Sequence, residues 1–157
     1  MSLEEKVVKE LIKRGYTVTT AESCTGGLLA GRILNVSGAS AVYNEGHITY
    51  SNEAKERLLG VSHETLEQYG AVSKQTAAEM AEGAARVAKA NVGLSTTGIA
   101  GPGGGTPEKP VGLVYVGCCL NGEVTVEEYH FKGNREENRA AAVEAVLYLL
   151  WKKLMTV

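Results

Sequence analysis

Short apolar segments with strand character alternate with amphipathic helices along this 157-residue chain. Helices that lie between strands predict a largely buried sheet with helices on both faces. The pair Asn121-Gly122, typical of a type I′ turn, joins the last two strands into a hairpin, which makes the sheet mixed. We find no linker, repeat or low-complexity segment. The sequence therefore predicts an α/β protein, a single three-layer α/β/α domain with a mixed sheet over residues 1–157.

Periodicity, caps and turn residues place the individual elements in the order α-β-α-β-α-α-α-β-β-β-α. The strands are predicted at 16–21, 41–50 (interrupted near Gly46), 92–97, 111–120 and 123–131. The helices are predicted from Leu3 to Gly15, at 25–35, from Ser51 or Asn52 to Gly60, at 62–69, from Ser73 onward, and at 134–154.

Charge and cysteine content exclude several classes of protein. Acidic and basic residues are interspersed and the net charge is −2, so the concentrated basic face of a nucleic-acid-binding protein is missing. No apolar run approaches a membrane span, and residues 1–6 show no signal-peptide pattern. We therefore expect a cytoplasmic protein with neither nucleic-acid nor membrane partners. Three cysteines fit no disulfide framework and no metal site, and the adjacent Cys118 and Cys119 are expected to be buried as small apolar side chains.

Three strand ends are expected to meet at one crevice. The strands that end at Glu22, Tyr50 and Thr97 would open at the same edge of the sheet if they run parallel, and open α/β sheets bind ligands at that edge. Ser23 follows the first strand, and the glycine-rich loop 98–105 follows the third. The loop has neither a Walker A ending nor a dinucleotide fingerprint, but its backbone N–H groups are suited to bind an anion.

Ser23 fits three roles: a helix cap, an anion ligand, or a nucleophile whose oxyanion hole is made of backbone N–H groups. A nucleophile needs a base. Lys55 is the better candidate for that base, because a helix N-terminus and partial burial would both lower its pKa. Tyr50 would relay the proton or hydrogen-bond the oxyanion. Each residue also has a simpler explanation when it is considered alone: Ser23 as a helix cap and Lys55 as a solvated helix lysine. The histidines lie in three different segments without triad spacing: His47, His63 and His130.

Four motifs, in this order, resemble those of the CinA C-terminal domain family, specifically its stand-alone PncC-type members, the nicotinamide-nucleotide amidohydrolases. The motifs are Thr20–Gly27, Thr49–Lys55, Gly70–Ser73 and Gly98–Gly104, the last followed by Glu108–Gly112. The resemblance covers about residues 5 to 152. It implies a three-layer α/β/α domain, usually a homodimer. It also implies deamidation of nicotinamide mononucleotide to nicotinate mononucleotide and ammonia, in pyridine nucleotide salvage, without a metal or organic cofactor.

The family's proposed catalytic group carries over to Ser23, Tyr50 and Lys55, all of which are intact. Arg139 is the expected cation for the substrate's phosphate, with Arg135 and Lys109 as competitors. The residues that we expect to bind the small-molecule nucleotide are Cys24, Thr25, Gly26, Gly27, Gly46, Asn52, Thr97, Gly98, Gly101 and Arg139.

Three alternatives stay open at this point. The first is a nucleotide-binding or regulatory module without catalysis. The second is a serine amidase or esterase with another substrate. The third is thiol catalysis by Cys24, although it lacks a matched histidine and is expected to face away from Ser23. A short-chain dehydrogenase is excluded, because its tyrosine and lysine are one residue closer together and no dinucleotide fingerprint is present.

Overall fold

Five strands form one mixed sheet in a computed structural model that describes residues 1–156. The sheet order is β2-β1-β3-β4-β5. Strand β1 is parallel to both of its neighbours, whereas β4 is antiparallel to both β3 and β5. This arrangement confirms the predicted mixed sheet and the hairpin. The strands are β1 Val18–Glu22, β2 His47–Ile48, β3 Val92–Gly98, β4 Leu113–Leu120 and β5 Glu123–His130.

Within residues 1–156, six α-helices cover the two faces of the sheet. Helices α1, α2 and α6 pack together on one face, and α5 packs on the other, with α3 and α4 against it. Alternation along β3 shows the two faces: Leu94 joins the main core on the α6 side, whereas Gly93 and Ser95 contact α5. The helices are α1 Leu3–Arg14, α2 Leu28–Leu34, α3 Asn52–Leu59, α4 His63–Tyr69, α5 Lys74–Ala88 and α6 Arg135–Met155.

Side-chain caps fix the helix starts much as the sequence predicts. Ser2 and Asn134 form capping boxes at the starts of α1 and α6, and the hydroxyls of Ser51, Ser62 and Ser73 accept from backbone N–H groups in α3, α4 and α5. The two strand cysteines, Cys118 and Cys119, are buried as expected. No helix within residues 1–156 is long and apolar enough to cross a membrane.

Most elements differ from their predicted bounds by one or two residues, and two differ by more. Helix α2 begins at Leu28 rather than near 25, because Gly26 and Gly27 adopt left-handed backbone angles, with φ of 53° and 109°. The predicted strand 41–50 is reduced to the two residues of β2. A short 3₁₀ turn at Ala39–Ala41 precedes it, and only an isolated bridge joins Tyr43 to β1.

Close packing of α5 on α3 depends on Gly83. A Cβ at this position would lie 2.0 Å from the carbonyl oxygen of Leu59, which is backbone and cannot move away cheaply. We expect Gly83→Ala to lower the free energy of unfolding by about 2 kcal/mol or more, measured by urea denaturation. The control is Gly31→Ala in α2, where a Cβ would meet nothing within 4 Å and the change should be neutral or slightly stabilising. Equal effects of the two changes would contradict this packing argument.

Candidate active site

The carboxyl ends of three parallel strands meet at one edge of the sheet, as predicted. Because β1 runs parallel to β2 and β3, the segments that follow these strands emerge side by side. They enclose a cavity of about 270 Å³. Its lining comes from these strand ends, from α3, from the segment before α5 and from the start of α6: Ser23, Cys24, Tyr50, Lys55, Ala71, Val72, Thr97, Gly98, Ala100 and Arg135.

A serine and a lysine are in direct contact on the wall of this cavity. Lys55 Nζ lies 3.1 Å from Ser23 Oγ, at hydrogen-bond distance. Lys55 is in the first turns of α3, which follows β2 after a short connection between Ile48 and Asn52. From this position the lysine side chain extends to the end of β1. The geometry therefore brings together two residues that are 32 positions apart in the sequence.

Lys55 is fully buried, which is unusual for a lysine. Its ammonium donates to the carbonyl oxygens of Thr49 and Tyr50, at 2.9 and 3.1 Å, as well as to Ser23. Within residues 1–156 it forms no ion pair with an acidic side chain. Burial without a compensating anion lowers the pKa of Lys55 from 10.5 to about 8. The lysine is therefore neutral in about a tenth of the molecules at pH 7, far more than a lysine with the ordinary pKa, and this neutral form can act as a general base.

Tyr50 contributes to the site in an unexpected way. Its carbonyl oxygen accepts a hydrogen bond from Lys55, whereas its side chain lies at the mouth of the cavity and is 68% exposed. Within the described part of the chain, its hydroxyl contacts neither Ser23 nor Lys55 by a hydrogen bond. A catalytic role for the Tyr50 hydroxyl therefore stays a prediction that depends on the bound substrate.

Glu22 holds the start of α2, a role that the sequence did not suggest. Its fully buried carboxylate accepts hydrogen bonds from the backbone N–H groups of Gly27, Leu29 and Ala30 and from the hydroxyl of Thr25. The positive end of this helix is therefore occupied by an internal anion. This corrects one of the three roles considered for Ser23, since it is not the cap of α2; the roles of anion ligand and nucleophile stay predictions. The sequence signal that could have revealed this role of Glu22 is an acidic residue at the end of a strand, shortly before the pair Gly26-Gly27.

Arg139 stabilises the same turn by hydrogen bonds to its backbone carbonyl oxygens. Its Nε and Nη2 donate to the carbonyl oxygens of Cys24 and Thr25, at 2.8 and 3.1 Å. The guanidinium does not line the cavity. The expectation that Arg139 binds the phosphate is therefore not supported by the geometry, because its planar donor group is engaged with the backbone. Arg135, considered only as a competitor, lines the cavity instead.

The turn after β1, which Glu22 and Arg139 both contact, keeps several free backbone N–H groups. Ser23 N–H donates to the carbonyl oxygen of Thr96 in β3. Among residues 1–156, the N–H groups of Cys24, Thr25 and Gly26 donate to no protein acceptor. Of the three residues, Cys24 lines the Ser23 cavity, so its N–H group is suited to stabilise an oxyanion formed when Ser23 attacks a carbonyl carbon.

The other predicted substrate-binding residues divide into two groups. Cys24, Thr97 and Gly98 line the cavity with the catalytic candidates. Gly98 has a packing role too, since a Cβ there would lie 2.5 Å from a Val114 methyl group. Gly27 lines a separate groove of about 420 Å³ between α2 and α6. The residues outside the Ser23 cavity are Thr25, Gly26, Gly27, Gly46, Asn52, Gly101 and Arg139.

Two of these outlying glycines have packing explanations. At Gly46, a Cβ would lie 1.8 Å from the hydroxyl oxygen of Tyr43, so glycine permits that tyrosine to reach Thr20. Gly101 has a φ of 88° and packs against Val111, and its carbonyl oxygen accepts from Arg135. Their contribution to substrate binding stays a prediction.

Cys24 is a poor nucleophile despite its position beside Ser23. It packs into the main core and also lines the cavity, so it does not simply face away from Ser23 as expected. Burial raises the pKa of its thiol to about 11, which disfavours the reactive thiolate. The geometry thus favours Ser23 over Cys24. Within residues 1–156, no group of three or more His, Cys, Asp or Glu side chains is arranged to hold a metal ion.

The fold and the site together define a three-layer α/β/α domain with a serine–lysine pair at the carboxyl ends of its parallel strands. The chain belongs to the CinA C-terminal domain family, whose profile matches residues 1–154. It is 58% identical over 146 residues to a competence-damage inducible protein of Clostridium acetobutylicum, covering 93% of this chain and 36% of that protein. For the Clostridium novyi relative the identity is 56% over 155 residues, with 99% and 37% covered. The chain therefore spans little more than a third of these relatives' length.

Solved structures agree with this assignment over nearly the whole chain. A CinA superfamily protein from Klebsiella pneumoniae matches with a TM-score of 0.95 at 37% identity, covering 99% of this chain and 97% of that one. The competence/damage inducible protein CihA from Agrobacterium tumefaciens matches with a TM-score of 0.90 at 45% identity, covering 97% and 96%. The family predicted from the four motifs is thereby confirmed.

Proposed function

We propose that this protein is an amidohydrolase that converts nicotinamide mononucleotide to nicotinate mononucleotide and ammonia. The proposal is supported by the family membership and by the motifs that resemble PncC-type members. The observation that carries it is the contact of 3.1 Å between Ser23 Oγ and the fully buried Lys55 Nζ. A lysine kept in that environment destabilises the native protein when charged, and its use as a base for Ser23 explains why it is there.

The reaction uses the chain's own groups. Neutral Lys55 accepts the hydroxyl proton of Ser23 while Oγ attacks the carboxamide carbon, and the carbonyl oxygen becomes an oxyanion. The free N–H group of Cys24, which lines the cavity, stabilises that oxyanion by about 3 kcal/mol if it is well placed. Protonated Lys55 returns the proton to the leaving nitrogen, so that ammonia departs and an acyl-Ser23 remains. Water, deprotonated by Lys55, then hydrolyses the ester and restores the serine.

A pyridinium substrate suits this site for two reasons. Its ring carries a positive charge that makes the attached carboxamide more electrophilic. The same charge, held near Lys55, disfavours protonation of the lysine and keeps the base in its active form. A neutral amide would have neither advantage.

The pH dependence of the reaction should report the lysine. Because only neutral Lys55 accepts a proton, kcat/KM is expected to rise with pH, nearly tenfold per pH unit below the pKa of Lys55, and to level above about pH 8. Initial rates of ammonia release between pH 6 and pH 9.5 measure this profile, with circular dichroism at each pH as the control for folding. A flat profile, or one that falls over this range, would rule out Lys55 as the base.

The function itself is tested by ammonia release from nicotinamide mononucleotide, with nucleotide binding followed by calorimetry. Wild-type protein should release ammonia, and Ser23→Ala should bind the nucleotide but release none. No release from folded wild-type protein that binds the nucleotide would favour a binding or regulatory module. Hydrolysis of other amides or esters but not of this nucleotide would favour a serine hydrolase with another substrate. Activity that survives Ser23→Ala would contradict the mechanism.

A further inference from the structure

The arginines of this protein differ sharply in their surroundings. Three pair with glutamate side chains, and three bind backbone carbonyl oxygens without such a pair: Arg14, Arg32 and Arg57 in the first group, and Arg86, Arg135 and Arg139 in the second. Of the second group, Arg135 alone lines the Ser23 cavity. Within residues 1–156 it forms no ion pair with an acidic side chain. Its charge is therefore available to a ligand in the cavity.

The Arg135 guanidinium is oriented by one contact. Its Nη1 donates to the carbonyl oxygen of Gly101 at 2.9 Å, which ties the start of α6 to the glycine-rich loop. A guanidinium carries five N–H donors in a planar fork, so most of them remain free to bind. Such a fork matches two oxygens of a phosphate group, and an arginine held by one backbone contact loses less freedom when it binds.

Arg135 also stands where two cavities join. Ala100 and Arg135 line both the Ser23 cavity and a neighbouring groove of about 540 Å³ between the glycine-rich loop and the start of α6. A ligand whose reacting group lies at Ser23 therefore has room to continue past Arg135. The Ser23 cavity alone, at about 270 Å³, is small for a whole nucleotide.

The other nearby cations are committed elsewhere. Lys55 acts in its neutral form in the proposed reaction. Lys109 Nζ donates to the carbonyl oxygen of Tyr69 and does not line either cavity. Arg139 is engaged with the Ser23 turn. Of the cationic side chains in residues 1–156, Arg135 is the one that lines the cavity and keeps its charge.

We propose that Arg135 binds the phosphate monoester of the substrate and thereby makes the site select nucleotides over nucleosides. This inference rests on the proposed function, since it places the amide of the same substrate at Ser23. It assigns specificity to a residue at the first position of α6, while Arg139, one turn later, has the separate role of positioning the Ser23 turn.

The test compares two substrates that differ only in the phosphate: nicotinamide mononucleotide and nicotinamide riboside. Arg135→Gln should lower kcat/KM for the nucleotide by about 10- to 100-fold, mostly through KM, and should change the value for the riboside by less than about threefold. Arg135→Lys should fall between, because it keeps the charge but loses the fork. The matched control is Lys132→Gln, an exposed residue in the loop before α6, which removes the same charge and should affect neither substrate.

Equal losses for both substrates in Arg135→Gln would overturn the proposal, as would a nucleotide-specific loss of the same size in Lys132→Gln. If wild-type protein releases no ammonia, the proposed function fails, and calorimetric binding of the same two compounds then tests Arg135 by itself. Weaker binding of the nucleotide alone in Arg135→Gln would support the assignment. Unchanged binding of both compounds would overturn it.

Discussion

Replacement of Lys55 with methionine is expected to lower kcat for amide hydrolysis by at least about 10³-fold. The change removes the base from its contact with Ser23 Oγ, and the hydroxyl of an unassisted serine is a weak nucleophile. Methionine has a similar length and no charge, so the cavity wall stays filled. Single-turnover ammonia release measures the chemical step, and calorimetry with the nucleotide checks that binding is retained. Residual activity within tenfold of wild type would contradict a serine–lysine mechanism.

The same substitution should not destabilise the protein as the loss of a buried core residue would. Because the pKa of Lys55 is lowered from 10.5 to about 8, protonated lysine at pH 7 disfavours the native state by about 3 kcal/mol. Methionine removes that cost, although the carbonyl oxygens of Thr49 and Tyr50 lose a donor. We therefore expect the thermal midpoint of Lys55→Met at pH 7 to equal or exceed that of wild type.

The sign of this effect can be checked by raising the pH. Between about pH 8 and pH 10.5 the unfolded chain holds a proton on this lysine that the native protein has released, so wild-type stability rises relative to Lys55→Met. Urea denaturation of both proteins at pH 7 and pH 9.5 measures the difference. A stability gap that stays constant across this range would show that the native pKa of Lys55 is not lowered.

Replacement of Glu22 with alanine is expected to lower the free energy of unfolding by at least about 3 kcal/mol. The fully buried carboxylate accepts from three backbone N–H groups and one hydroxyl, and each buried donor left without a partner costs about 1–3 kcal/mol. The turn that carries Ser23 loses its support at the same time, so activity should fall as well. Urea denaturation and ammonia release measure the two effects.

A second helix provides the control for Glu22. Glu5 completes an exposed capping box at the start of α1, and water can replace its hydrogen bond. Glu5→Ala should therefore cost only about 0.5–1 kcal/mol and leave activity unchanged. If Glu22→Ala is as mild as Glu5→Ala, the buried carboxylate does not hold the start of α2. Glu22→Gln, which keeps one accepting oxygen, should give an intermediate loss.

The fold could be predicted from the sequence where local signals are strong. Ser2 and Asn134 cap their helices through side chains within three residues, and Asn121-Gly122 forms the hairpin turn. Such interactions are local, so residue type and spacing contain them. The segment 41–50 was predicted less well. In this segment the Tyr43 hydroxyl lies 2.8 Å from Thr20 Oγ1 in β1, a tertiary contact between residues 23 positions apart that has no local signature.

The candidate site shows the same division. The sequence placed Ser23 after one strand and Tyr50 and Thr97 at the ends of two others, and it selected Lys55 as the base, because strand ends and helix starts can be recognised locally. It could not tell which charged group would point into the cavity. Arg135 and Arg139 lie on the same helix four residues apart, and only the packing of α6 on the Ser23 turn decides between them.

By itself, then, the sequence determined the order of elements, the mixed sheet and the strand ends where chemistry is expected. The tertiary structure decided which side chains meet there: the burial of Lys55 against Ser23, the occupation of the α2 N-terminus by Glu22, and which of the two arginines lines the cavity. The physical reason is the range of the interactions involved. Caps and turns are set within a few residues, whereas burial, a shifted pKa and a free charge depend on neighbours that the fold brings in from distant parts of the chain.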